Sequence, residues 1–212
     1  MKFEKDMLLL YAVTDNAWVG EQTLAEQIED AIKGGATIVQ LREKKLDKES
    51  FIREAIEVVK ICHKYNVPLI INDDVDVALK SGADGVHVGI EDTPVSKIRE
   101  IVPKDFIIGA TCKTVEQAMK AQKDGADYMG VGAVFVSPTK TNAIRITKEQ
   151  LREIVLSVDI PAVAIGGITK ENALEIKGCN IAGIAVVSAI FGAKDIKTET
   201  ALLKKIAREV ID

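Results

Sequence analysis

The sequence predicts an α/β chain folded as a compact (β/α)8 barrel, one domain spanning residues 1–212. Three observations predict it. Short β-branched runs alternate along the chain with longer segments of helical period. The runs are apolar throughout rather than alternating, as in strands covered on both faces. Eight such strand–helix units fit into 212 residues, and eight is the number that closes a barrel. An open doubly wound sheet is the alternative, but no G-x-G-x-x-G follows the first run, and eight units suit closure better.

The units follow in order. "LLLYAV" predicts a strand over 8–13, followed by a helix over 23–33. A strand over 37–41 is paired with a helix over 48–64. Then come 69–71 with 74–80, 85–88 with 95–101, and 106–108 with 115–123. The last three are 128–131 with 148–156, 162–165 with 170–176, and 183–187 with 198–210. Four related tetrapeptides, "GGAT" (34–37), "SGAD" (81–84), "DGAD" (124–127) and "KGCN" (177–180), fall between a helix and the next strand. A left-handed glycine C-cap explains the Gly. These turns belong to the bottom of a barrel and are assigned to stability. Helix starts are also legible. Asp74 suits an N-cap, Thr93 before Pro94 another, and Thr147 with Gln150 a capping box.

Composition narrows the class. Hydrophobic residues make up 47% and aromatic residues 4%, so the core is built from Ile, Val, Leu and Ala. The net charge is −4 with no basic block, which argues against nucleic acid as a partner. The three cysteines, Cys62, Cys112 and Cys179, are widely spaced and are expected as free thiols of a reducing compartment. No run approaches the ~20 apolar residues of a membrane span, and "TDNAW" is a poor signal-cleavage site. A cytoplasmic protein acting on small molecules is expected; homo-oligomerisation stays open.

In a barrel, sites form where strands end. After the second strand, Gln40, Arg42 and Lys44 alternate onto one side, with Leu41 and Glu43 on the other. An amide and two cations suit a diphosphate; a solvated charged turn is the plainer explanation. After the third strand comes Asn72-Asp73-Asp74. With Asp74 capping the helix, Asn72 and Asp73 have no structural task. After the fourth strand, Thr93 is the expected cap, which leaves Asp92 spare. Two spare carboxylates on neighbouring strand ends suggest Mg²⁺ completed by substrate oxygens. The fifth strand leads into Thr111. The sixth is followed by the longest irregular stretch, 132–146, with Ser137, Thr139 and Lys140 as a candidate phosphate clamp. Gly166-Gly167 after the seventh strand, and Val187-Ser188 after the eighth, stand where such barrels bind phosphate. Of the two histidines, His63 is expected on a helix surface. His87, inside a strand, is expected to pack or hydrogen-bond rather than titrate. Trp18 stays unassigned.

These motifs resemble one family. "QLREK" (40–44), "INDDVDVAL" (71–79), "GADGVHVG" (82–89) with "ED" (91–92), "GADYMGVGAVF" (125–135), "TK" (139–140), "AIGGI" (164–168) and "VVSAIF" (186–191) resemble thiamine phosphate synthase, in the family's order and over essentially the whole chain. The resemblance implies condensation of 4-amino-2-methyl-5-hydroxymethylpyrimidine diphosphate with 4-methyl-5-(2-hydroxyethyl)thiazole phosphate, giving thiamine phosphate and pyrophosphate. It implies that Gln40, Arg42, Lys44 and Asn72 hold the pyrimidine diphosphate and that Asp73 and Asp92 hold Mg²⁺. Thr111 stands where the family has a small hydroxyl residue. Ser137, Thr139, Gly167, Val187 and Ser188 match the thiazole-phosphate site, and Lys140 contacts the diphosphate. Arg42, Lys44, Lys140 and Thr111 are the implied catalytic set. The chain departs from the family pattern at Ile90, where Gln is usual, and in the 136–146 loop.

Three alternatives accompany this. A thiazole tautomerase-like relative lacks the metal-binding acids, which are intact here. A Schiff-base aldolase needs a buried, deprotonated lysine, whereas Lys44 and Lys140 stand in polar, cationic surroundings. A non-catalytic ligand-binding barrel predicts binding without turnover.

Overall fold

A computed structural model describes residues 2–136 and 145–211. Eight parallel strands close into a barrel in chain order: β1 (Leu10–Val13), β2 (Ile38–Leu41), β3 (Leu69–Asn72), β4 (Gly85–Val88), β5 (Ile107–Cys112), β6 (Tyr128–Gly132), β7 (Ala162–Ile165) and β8 (Gly183–Val186). The helices are α1 (Leu24–Gly34), α2 (Lys48–Lys64), α3 (Val75–Ser81), α4 (Val95–Ile101), α5 (Val115–Asp124), α6 (Lys148–Leu156), α7 (Ser188–Phe191) and α8 (Ile196–Ile211). This is the TIM-barrel arrangement.

Several boundaries differ from the sequence expectation. The helix expected over 170–176 is a 3-10 turn, Ala173–Ile176. Residues Lys5–Leu8, partly expected as strand, also form a 3-10 turn. Strand β8 stops at Val186, one residue early, and β5 runs on to Cys112, so Thr111 is a strand residue with a fixed direction.

Two cores result from the two faces of each strand. One lies between barrel and helices. The other fills the barrel with Tyr11, Ile38, Ile70, Ile107, Tyr128 and Val163 among others. Phe3 stacks on Tyr128, ring centroids 5.9 Å apart, and packs against the lower end of this interior core.

The repeated tetrapeptides have a common physical basis. Gly35, Gly82, Gly125 and Gly178 all take positive φ. In three of the four, the last residue accepts a backbone N–H from the preceding strand. Thr37 bonds Leu10, Asp84 bonds Leu69 and Asp127 bonds Ile108, at 2.9, 2.9 and 2.7 Å. Each turn thereby fixes the start of its own strand to its neighbour. His63, expected as a plain surface residue, pairs with the buried Asp84 at 2.9 Å. Arg99 serves Asp127 in the same way, at 2.8 Å.

The expected caps at Asp74 and at Thr147/Gln150 are present. The Thr93 cap is not. Pro94 occupies the N-cap of α4 and no side chain bonds there. All three cysteines are buried free thiols. Among the described residues, no helix is long and apolar enough to cross a membrane.

Candidate active site

The upper end of the barrel encloses a cavity of about 210 Å³. Gln40, Arg42, Asn72, Thr111, Gly167, Val187 and Ser188 all line it, so seven residues singled out from five separate stretches of sequence meet at one place. Lys44, Asp73 and Asp92 form a second group, joined to the first where Asp73 follows the cavity-lining Asn72. Ser137, Thr139 and Lys140 lie outside the described residues.

Strand β2 delivers its cations through a built loop. The Arg42 N–H donates to the buried Thr14 hydroxyl at 3.0 Å, and its guanidinium to Asp15 at 2.8 Å. Glu43, on the opposite side, is nearly buried. One of its oxygens accepts the N–H groups of Lys44, Lys45 and Leu46, at 2.7, 2.6 and 3.3 Å. The other accepts from Asn16. Glu43 thus anchors the turn and leaves Arg42 and Lys44 directed the other way.

Asp73 has φ +65°, a left-handed conformation uncommon outside glycine, asparagine and aspartate. Its N–H donates to the His87 carbonyl at 2.8 Å, which locks β3 to β4 at this point. The carboxylate then meets Lys44 Nζ at 2.6 Å and stands beside the Asp92 carboxyl, close enough for the two to shift each other's ionisation. Asp92 is not idle in folding, as the sequence suggested. It accepts the Gly89 N–H at 2.7 Å and closes the turn after β4. The two acids differ electrostatically. Burial opposes ionisation of Asp73, but Lys44 and its other hydrogen bonds hold its pKa below the usual value. Burial and the adjacent Asp73 charge raise that of Asp92, against the Gly89 hydrogen bond. Among the described residues there is no cluster of three or more His, Cys, Asp or Glu able to hold a metal; the acidic donor set here is these two carboxylates.

Beneath the cavity lies a chain the sequence did not reveal. Gln40 Nε2 donates to Tyr11 Oη at 2.8 Å, and Tyr11 Oη meets Tyr128 Oη at 2.7 Å. Tyr128 Oη meets His87 Nδ1 at 3.1 Å, and His87 Nε2 meets Thr111 Oγ at 3.0 Å. His87 is buried, and that burial lowers its pKa to about 4, so it is neutral at pH 7, as expected of a packed histidine. Gly109 makes room for the chain. A Cβ there would stand 2.2 Å from the Tyr128 ring and 2.5 Å from His87 Nδ1.

On the far wall, Gly167 has φ +66°, and a Cβ on it would lie 2.2 Å from the Val136 carbonyl oxygen. The N–H of Phe135 donates to the Gly166 carbonyl at 2.9 Å. The glycine pair therefore also seats the start of the loop after β6. Trp18 lies at this end too, its ring beside Gly192.

Residues 10–190 match the family model described as thiamine monophosphate synthase. The chain belongs to this family. The thiamine-phosphate synthase of Ruminiclostridium cellulolyticum is 52% identical over 197 residues, covering 93% of this chain and 94% of that protein. That of Methanobrevibacter smithii is 50% identical over 198 residues, covering 93% and 94%. The solved thiamine phosphate pyrophosphorylase of Pyrococcus furiosus superposes with a TM-score of 0.89 at 41% identity, covering 98% of this chain and 99% of that one. As a member of the thiamine monophosphate synthase family, the protein is a transferase of thiamine biosynthesis.

Proposed function

We propose that this protein is a thiamine-phosphate synthase. It joins 4-amino-2-methyl-5-hydroxymethylpyrimidine diphosphate to 4-methyl-5-(2-hydroxyethyl)thiazole phosphate and releases pyrophosphate. The single observation that carries this is the convergence of Gln40, Arg42, Asn72, Thr111, Gly167, Val187 and Ser188 on one cavity, in a chain of this family.

Asp73 and Asp92 fit a magnesium ion. They are hard oxygen donors in mutual contact, one with a raised and one with a lowered pKa. Held by these two carboxylates, the ion would supply positive charge against the departing diphosphate.

The chain's own residues do the rest. Breaking the bond from the pyrimidine methylene to the diphosphate leaves a cation that the ring amino group delocalises. Arg42 and Lys44 stabilise the leaving anion, joined by Lys140 from the loop after β6. Thr111 and Gln40 hold the pyrimidine. Gly167, Val187 and Ser188 hold the thiazole phosphate, with Ser137 and Thr139, so that the thiazole nitrogen faces the methylene. No general base is needed, which agrees with the one histidine lining the cavity being neutral and bonded on both nitrogens. Incubating the protein with both substrates and Mg²⁺ tests the proposal. Thiamine phosphate is expected, and its absence with authentic substrates would refute it.

A further inference from the structure

The buried chain under the cavity has a direction. Tyr11 accepts from the Gln40 amide nitrogen, so its own proton goes to its other partner, Tyr128. Tyr128 then donates to His87 Nδ1. A neutral imidazole accepting at Nδ1 carries its proton on Nε2, which donates to Thr111 Oγ. The opposite order would leave the buried Tyr11 proton without an acceptor, at a cost of about 1–3 kcal/mol.

The two ends of the chain face the cavity. At one end the bond to Tyr11 uses one Gln40 N–H and fixes the amide, leaving its carbonyl oxygen as an acceptor beside the second N–H. At the other, Thr111 accepts from His87 and keeps its O–H free as a donor. Rotating the Gln40 amide would reverse every bond and exchange the two roles.

We propose that Tyr11, Tyr128 and His87 are positioning residues whose one-way hydrogen bonds fix the orientation of the Gln40 amide and leave the Thr111 O–H as a donor, and so favour a ligand edge carrying an amine beside a ring nitrogen over the corresponding oxo edge. The choice of ligand rests on the proposed function; the direction of the chain does not. A site built to hydrogen-bond one pattern rejects the inverse because buried groups are left unpaired.

Two measurements test this. The first is ¹⁵N NMR of the wild-type protein, which distinguishes imidazole tautomers; only two histidines are present. His87 is expected as the Nε2–H tautomer, and the Nδ1–H tautomer would overturn the proposal. The second is competitive binding of 4-aminopyrimidine and 4-oxopyrimidine diphosphates to wild type and Tyr128→Phe. The variant is expected to lose roughly tenfold or more of the wild-type preference for the amino form. An unchanged preference in a folded variant would overturn it. If Tyr128→Phe does not fold, the wild-type tautomer decides. Absence of turnover with the preference and tautomer as expected would refute the proposed function and leave this inference standing.

Discussion

Lys44 Nζ lies 2.6 Å from Asp73 Oδ2, which ties the loop after β2 to the end of β3. The pair is more than a surface contact, because the same Asp73 carboxylate also meets Asp92. The Lys44 side chain is 53% exposed, so the pair contributes at most about 1 kcal/mol to stability. Asp73→Asn should therefore melt close to wild type; asparagine also tolerates the left-handed backbone. Its turnover should fall by about 100-fold, since a charge that holds the metal against the diphosphate is gone. Steady-state kinetics and a thermal melt check this. A variant that fails to fold would make Asp73 structural.

Glu43→Gln should act through the loop. The carboxylate accepts three backbone N–H groups, and Gln offers a weaker, neutral acceptor at a cost of about 2 kcal/mol. Arg42 and Lys44 would then be held less firmly. The KM for the pyrimidine diphosphate should rise about tenfold, with kcat less affected. An equal fall in both kcat and kcat/KM would instead place Glu43 in the chemical step.

His87 gives a pH prediction. Its pKa in the folded protein is about 4 against an ordinary 6.5. Between these values the unfolded chain binds the proton and the folded one does not, so stability falls as the pH drops from about 6.5 to about 4. The full effect is about 3 kcal/mol. Denaturant melts at pH 7 and 4.5 should show this slope in wild type and a flatter one in His87→Gln. Equal slopes would contradict the burial argument.

Gly167→Ala should damage the opposite wall. The added Cβ would stand 2.2 Å from a backbone oxygen at φ +66°, so the loop after β6 must shift. A destabilisation of about 1–3 kcal/mol is expected, together with a raised KM for the thiazole phosphate. Wild-type kinetics in this variant would show that the glycine is unnecessary.

The barrel was legible because both-faced burial leaves continuous apolar runs, and the candidate site because polar residues interrupt those runs at strand ends. Asn72 and Asp73 stood out since Asp74 alone already capped α3. What the sequence could not show depends on three-dimensional partners. Asp92 seemed spare because its bond to the Gly89 N–H has no local signature strong enough to compete with Thr93-Pro94. Tyr11 and Tyr128 carry no signal in linear order, because only closure of the barrel brings their hydroxyls to 2.7 Å. The left-handed backbone at Asp73 is set by the His87 carbonyl on the next strand, a contact invisible in linear order.

The central claim, a magnesium-assisted synthase at this cavity, is tested most directly by one assay. The protein is mixed with pyrimidine diphosphate and thiazole phosphate, with Mg²⁺ or with EDTA, and thiamine phosphate and pyrophosphate are quantified. Equimolar release of both products with Mg²⁺, abolished by EDTA, is the predicted result. Binding of both substrates with no product, or equal product formation in EDTA, would contradict it.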